Sequence, residues 1–151
     1  MAKGRNIAVN RQASYDYEIL DRYEAGLVLT GSEIKSVRSG RVDLRGCYAR
    51  PQDGELWIFG MHIATYDAAG VDNHDPRRPR KLLMHKKEIV EAIAKLSQKG
   101  LTMVPLRVYV KSHWAKVEVG LAKGKRKYEK RRAIIDRDRD REARQALRRS
   151  L

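Results

Sequence analysis

One cysteine, Cys47, stands alone in a chain of 151 residues. It excludes an intramolecular disulfide and makes a reducing cytoplasm the expected home. No apolar run approaches the roughly 18 to 20 residues needed to span a bilayer. The basic segments also lack the Trp/Phe/Leu face of a helix that lies on a membrane, so no membrane partner is expected. The opening stretch "MAKGRNIAVNRQAS" has no apolar core of the kind a secretory signal carries, and no such signal is expected. Also missing are G-x-S-x-G, the P-loop and the dinucleotide fingerprint. The histidines, His62, His74, His85 and His113, are scattered among segments that read as strand, loop, helix and turn. With a single cysteine they give no zinc-ligand spacing. The expectation is no metal, no cofactor and no catalytic residue.

What the chain does have is positive charge. Lys and Arg outnumber Asp and Glu by 33 to 19, for a net charge of +14, while 42% hydrophobic content suffices for a folded interior. A globular protein that meets a polyanion follows, with nucleic acid the better fit than a membrane surface. The length supports one core and an extension.

Residues 1–14 carry Lys3, Arg5 and Arg11 without an acid, and Ile7 and Val9 supply most of their apolar surface, so they read as a flexible basic arm. Residues 15–121 read as the folded unit. In "YDYEILDRYEAGLVLTG" apolar side chains fall at 15, 17 and 19 and again at 27 and 29, the period of two strand segments joined by a bend near Ala25-Gly26. "SEIKSVRSG" reads as a short helix with Ser32 as N-cap and Gly40 as its stop. "CYARPQDGELWIFG" is a β-hairpin turning at Asp53-Gly54, and "MHIATY" continues or follows its second strand. Residues 67–81 hold two prolines and little to bury, a long loop. "LLMHKKEIVEAIAKLSQKG" is the clearest helix, with Ile89, Ile93 and Leu96 on one side and Gly100 past its end. "TMVPLRVYVKSHWAKVEVGL" alternates on both sides of a turn near Ser112-His113, giving two antiparallel strands. About six short antiparallel strands with two helices predict a mainly β fold, a small antiparallel OB-type β-barrel with flanking helices.

Residues 122–151 form the extension. From Leu121 onward thirteen Lys/Arg stand against five Asp/Glu, and the apolar positions are too sparse for a stripe that packs on a core. In "DRDRDRE" the attractive i,i+3 pairs and the repulsive i,i+4 pairs roughly cancel. Yet "EARQALRRSL" is good helix material, and no Pro or Gly follows Gly124. The expectation is a basic tail that is flexible alone and helical once a polyanion neutralises it.

Two basic clusters bear on function. Within "DPRRPRK", Arg77, Arg78, Arg80 and Lys81 are held by prolines, and arginine forks match phosphate oxygens, so a preorganised RNA-backbone contact is set against a merely solvated loop. Neighbouring Asp72, His74 and Asp75 offer the residue types of a nuclease, although turn-forming Asp and Asn side chains explain them more simply. In "GKRKYEKRR", Gly124 to Arg132, six cations surround Tyr128 and Glu129. Either the tyrosine is incidental to a soluble tail, or it stacks on an unpaired base while Lys125, Arg126, Lys127, Lys130, Arg131 and Arg132 bind phosphates; composition leaves both open.

The order of the stretches "NRQASYDYEI", "EAGLVLTGSEIKSVRSG", "NHDPRRPRKLLMHKKEI", "KGLTMVPL" and "GKRKYEKR" resembles the SsrA-binding protein (SmpB) family across most of the chain. That resemblance implies an OB-type barrel without enzymatic activity that clasps the tRNA-like domain of tmRNA. It also implies a tail that enters the empty messenger channel of a stalled ribosome, becomes helical beside small-subunit rRNA and allows the unfinished peptide to be tagged. A cytoplasmic monomer is expected. By the same resemblance Glu24, Leu83 and Lys116 belong to the tmRNA-binding surface. Gly124, Lys125, Tyr128, Lys130 and Arg131 fall in the pattern linked to the decoding region. Arg126, Glu129, Met84 and Gly46 depart from residues commonly found in the family.

Overall fold

Alternating strands dominate the chain, and their pairings run in a ring. The computed structural model describes residues 5–66, 73–125 and 127–150. In order they form β1 (Arg5–Val9), α1 (Arg11–Asp16), β2 (Tyr17–Leu27), α2 (Gly31–Arg38), β3 (Val42–Asp43), β4 (Tyr48–Gln52), β5 (Glu55–Phe59) and β6 (His62–Ile63), followed by β7 (Arg80–Leu83), α3 (Lys86–Leu96), β8 (Leu101–Lys111), β9 (Trp114–Gly124) and α4 (Lys127–Ser150). The sheet runs β8-β4-β5-β7-β2-β9, and β9 pairs back onto β8, every neighbour antiparallel. This mainly β ring with flanking helices corresponds to the architecture expected from the strand pattern. A separate two-stranded ladder joins β3 to β6.

Inside the ring lie Leu56, Ile58, Leu82, Met103, Val108, Val117 and Val119, all fully buried, with Ile63 and Val37 packed in the same core. Each such side chain contributes about 1.5–3 kcal/mol of burial. The amphipathic helix α3 closes one side through Ile89 and Ala92. Two tight turns depend on left-handed backbone: Asp53 and Gly54 between β4 and β5 at φ 54° and 74°, and Ser112 and His113 between β8 and β9 at φ 49° and 69°. Glycine relieves the first turn; the second has none.

Several boundaries differ from the sequence reading. Arg5–Val9 is a strand rather than part of a flexible arm, because β8 offers an unpaired edge that Arg5, Asn6, Ala8 and Val9 complete. Tyr17–Leu27 is one strand of 11 residues, and its irregularity lies between Ile19 and Asp21, not at Ala25-Gly26. Helix α2 starts two residues earlier than Ser32 as its cap implies. Thr30 is its cap: the Thr30 hydroxyl accepts from the Glu33 N–H at 3.4 Å, and the Glu33 carboxylate accepts from the Thr30 N–H at 2.9 Å. Residues 80–83 leave the loop to become β7, so helix α3 begins only after His85. Strand β9 continues past 121 to Gly124, since Ala122 is fully buried between Ile19 and Thr102.

The extension forms α4, which adjoins α1. Its described side chains from Arg137 to Leu147 are exposed, as the lack of an apolar stripe requires. Residues 67–72 and Arg126 lie outside the described residues.

Candidate nucleic-acid interface

Strand register assembles the site. Gly26 on β2 pairs with Leu83 of β7 on one side and with Lys116 of β9 on the other, and Lys116 pairs with Tyr109 of β8. Glu24 lies two residues before Gly26, hence on the same face. Ala25, Leu82, Val108 and Val117, the alternate positions, fill the core. Glu24, Leu83 and Lys116, named separately along 93 positions of sequence, therefore meet on one outward surface. Gly26 permits the close approach of Leu83: a Cβ there would stand 3.3 Å from the Leu83 Cβ.

The charges on this face are unequal in their freedom. Arg22 and Arg107 share the carboxylate of Glu118 at 2.9 and 3.3 Å, and the Arg107 guanidinium sits 4.3 Å from the Tyr109 ring centroid. The Tyr109 hydroxyl donates to Glu24, and Lys111 lies 3.8 Å from the same carboxylate. That hydrogen bond, aided by Lys111, Lys116 and Arg107, holds the Glu24 carboxyl below its ordinary range despite partial burial. Burial and the Glu24 charge push the Tyr109 hydroxyl up, so it remains a donor. Lys116 has no carboxylate partner among the described residues. An exposed leucine, a carboxylate acceptor and an ammonium outside salt-bridge distance of any described carboxylate suit the C–H face of a ribose, the hydrogen-bond donors and the phosphate of a nucleic acid.

The four cations of "RRPRK" separate sharply. Arg77 is exposed and its side chain has no ion partner among the described residues, as a phosphate contact requires. Lys81 points to the same side of β7 as Leu83, 3.9 Å from Glu55. Arg78 is half-buried, donating to the Glu33 carboxylate at 2.6 Å and to the Val28 carbonyl at 3.3 Å. Arg80 is the correction. It is fully buried and cannot reach RNA, because β7 turns it inward with Leu82. Its guanidinium donates to Glu33 and to the Met61 carbonyl, each at 2.6 Å, and to the carbonyls of Asp75 and Pro76. Arg80 is a core brace that fixes the loop presenting Arg77.

The neighbouring "NHDP" segment is bound up in the same brace. Asn73 accepts from the Tyr66 N–H and donates to the Tyr66 carbonyl, while the His74 ring lies 2.8 Å from the Ser32 hydroxyl and 2.9 Å from the Ile63 carbonyl. Asp75 accepts from the Arg77 N–H. Both His74 nitrogens are thus engaged, and Asp72 lies outside the described residues. Among the described residues no group of three or more His, Cys, Asp or Glu is placed to hold a metal.

In the extension, Gly124 ends β9 opposite Tyr17, and Lys125 is fastened to α1 through its N–H on the Asp16 carbonyl at 2.9 Å and its ammonium on the Ser14 carbonyl at 3.0 Å. Lys127, Tyr128, Lys130, Arg131 and Arg132 belong to the first turns of α4; their side chains, like Arg126, lie outside the described residues. Sequence reasoning missed Gly26, Tyr109, Lys111 and the Glu118 pairings. Alternation alone marks Tyr109 as outward, one residue from the inward Val108, and only register reveals its partner.

Fold and face together define a small β-ring binding protein with a cationic, partly apolar outer surface. The SmpB protein family matches residues 7–149, and the chain belongs to that family, one of RNA-binding adaptors. The SsrA-binding protein of Carboxydothermus hydrogenoformans is 54% identical over 142 residues, covering 94% of this chain and 95% of that protein. The SsrA-binding protein of Salinispora arenicola is 53% identical over 150 residues, covering 98% and 94% respectively. A solved chain described under "tmRNA-SmpB: a journey to the center of the bacterial ribosome" superposes with a TM-score of 0.68 at 48% identity, covering 84% of this chain and 93% of that one. No helix among the described residues is long and apolar enough to cross a membrane.

Proposed function

We propose that this chain is a non-enzymatic, cytoplasmic, monomeric adaptor that binds the tRNA-like domain of tmRNA and delivers it to stalled ribosomes for peptide tagging. The observation that carries this reading is the convergence of Glu24, Leu83 and Lys116 on one face, with Lys81 on the same side of β7 as Leu83 and Arg77 exposed in the loop before that strand. Membership of the SmpB family supports it. Glu24 accepts from donors on the RNA, Leu83 packs on a ribose or base, and Lys116, Lys81 and Arg77 neutralise phosphates. The tail, from Gly124 through Tyr128 to Arg132 and on along α4, occupies the empty messenger channel. There its cations grip small-subunit rRNA and Tyr128 stacks on an exposed base.

The tail is proposed to be marginal as a free helix and to gain order on the ribosome, since its sign-alternating charges and sparse apolar residues give little helix stability in water. The deciding experiment titrates the full chain with a tRNA-like-domain transcript over a salt series. Affinity should fall steeply as salt rises, by about 0.7 to 0.9 log units per log unit of salt for each phosphate neutralised. Indifference to salt, or equal affinity for unrelated duplex RNA, would count against the assignment.

A further inference from the structure

We propose that Tyr48, Phe59 and Arg50 form a stacking platform for an unpaired nucleotide, extending the candidate interface across β7 onto the β4–β5 hairpin. The proposal rests on the RNA-binding reading above. On this hairpin Ala49, Leu56 and Ile58 fill the core, so Tyr48, Arg50, Trp57 and Phe59 face outward. Tyr48 stands opposite Phe59 with ring centroids 5.7 Å apart and planes within 20° of parallel. The Arg50 guanidinium lies 4.5 Å from the centroid of the same Phe59 ring. Tyr48 is 42% exposed. Arg50 is exposed and has no carboxylate partner among the described residues.

A cross-strand aromatic pair by itself stabilises a hairpin and calls for neither an open tyrosine face nor an unpaired arginine. Planar rings beside a guanidinium with free donors fit a nucleobase and its phosphate. The platform also continues the site already described: Trp57 pairs with Lys81, and Lys81 shares the outer side of β7 with Leu83. A duplex hides its base faces, so the occupant is an unpaired nucleotide of the bound RNA.

The test titrates the full chain and its variants, at fixed salt, with fluorescein-labelled octaadenylate and with a blunt RNA duplex of equal length. Tyr48→Ala should weaken octaadenylate binding about 5- to 150-fold, the range that one lost stacking contact of about 1–3 kcal/mol corresponds to, and leave duplex binding unchanged. Tyr48→Phe should keep octaadenylate affinity, and Arg50→Lys, which retains charge without the plane, should weaken the octamer more than the duplex. Tyr48→Leu, read alongside its thermal melt, guards against a variant that merely misfolds. Equal losses on both probes, no loss on either, or no octaadenylate binding by the unaltered chain would overturn the platform and leave this face to a protein. Failure of the unaltered chain to bind the tRNA-like domain would instead overturn the RNA-binding reading.

Discussion

The Tyr109 hydroxyl donates to the Glu24 carboxylate across β9, joining two strands that do not pair with each other. The bond fixes the carboxylate beside Lys116 and keeps it ionised. Tyr109→Phe should therefore raise the Glu24 pKa toward its ordinary value and cost about 0.5–1.5 kcal/mol of stability. A carboxyl-detected NMR titration of Glu24 checks the first, and urea unfolding the second. An unmoved titration would remove Tyr109 from the site.

Lys116 and Leu83 flank Gly26 from opposite sides and should weaken RNA binding in different ways. Lys116→Ala should lower the salt slope of tRNA-like-domain binding by about 0.7 to 0.9. Leu83→Ala should lower affinity about tenfold at every salt concentration, through about 1.4 kcal/mol of lost apolar contact, with the slope unchanged. Parallel salt series on the two variants separate these outcomes.

Arg80→Ala removes a partner from a buried carboxylate and should destabilise the fold by about 3–5 kcal/mol. Arg77→Ala, at an exposed position, should leave stability within about 0.5 kcal/mol and reduce only the salt slope. Calorimetry of the two variants is the comparison; similar melting temperatures would contradict the inward placement of Arg80.

Acid should loosen the same brace. Burial alone would raise the Glu33 pKa, but the bonds from Arg78, the Thr30 N–H and Arg80 outweigh it, and the carboxyl sits below its reference value of 4.5. A folded pKa below the unfolded one means a contribution fully present above about 4.5 and lost as pH falls through the folded value. Urea midpoints should drop between pH 5 and pH 3 in the native chain, and Glu33→Gln should start lower and fall less. Parallel curves would rule out Glu33 as the titrating group.

Deleting residues 126–151 leaves β9 whole and should spare affinity for the tRNA-like domain while abolishing tagging of peptides from messenger without a stop codon. Tyr128→Ala should impair tagging more than affinity. Far-ultraviolet circular dichroism of the full chain, with and without ribosomes subtracted, should show helix gained on binding by comparison with the deleted form; no gain would sink the ordering of the tail.

Periodicity made the hairpins, the closing strands and α3 legible, because their apolar residues recur at two or at three and four positions. It failed at Arg80. A strand of four residues behind two prolines reads as loop, although Leu82 already marks the inward parity that Arg80 shares. The Thr30-x-x-Glu33 box was available too; Ser32 is a cap-type residue in the same stretch, but its hydroxyl is engaged by His74, 42 positions away, which no local pattern shows. Glu24, Leu83 and Lys116 entered through family likeness; their common face depends on pairings between β7, β2 and β9, which no local pattern encodes. Gly26 was visible only as a break in a strand, and its use as a place for Leu83 to lean needed the register.

The fastening of Lys125 to Ser14 and Asp16 gives the protein a datum. The twenty-four residues of α4, which begins at Lys127, extend about 36 Å. On the messenger-channel reading proposed above, the helical extension would gauge channel length, and shortening it by two turns should withdraw the tip by about 11 Å.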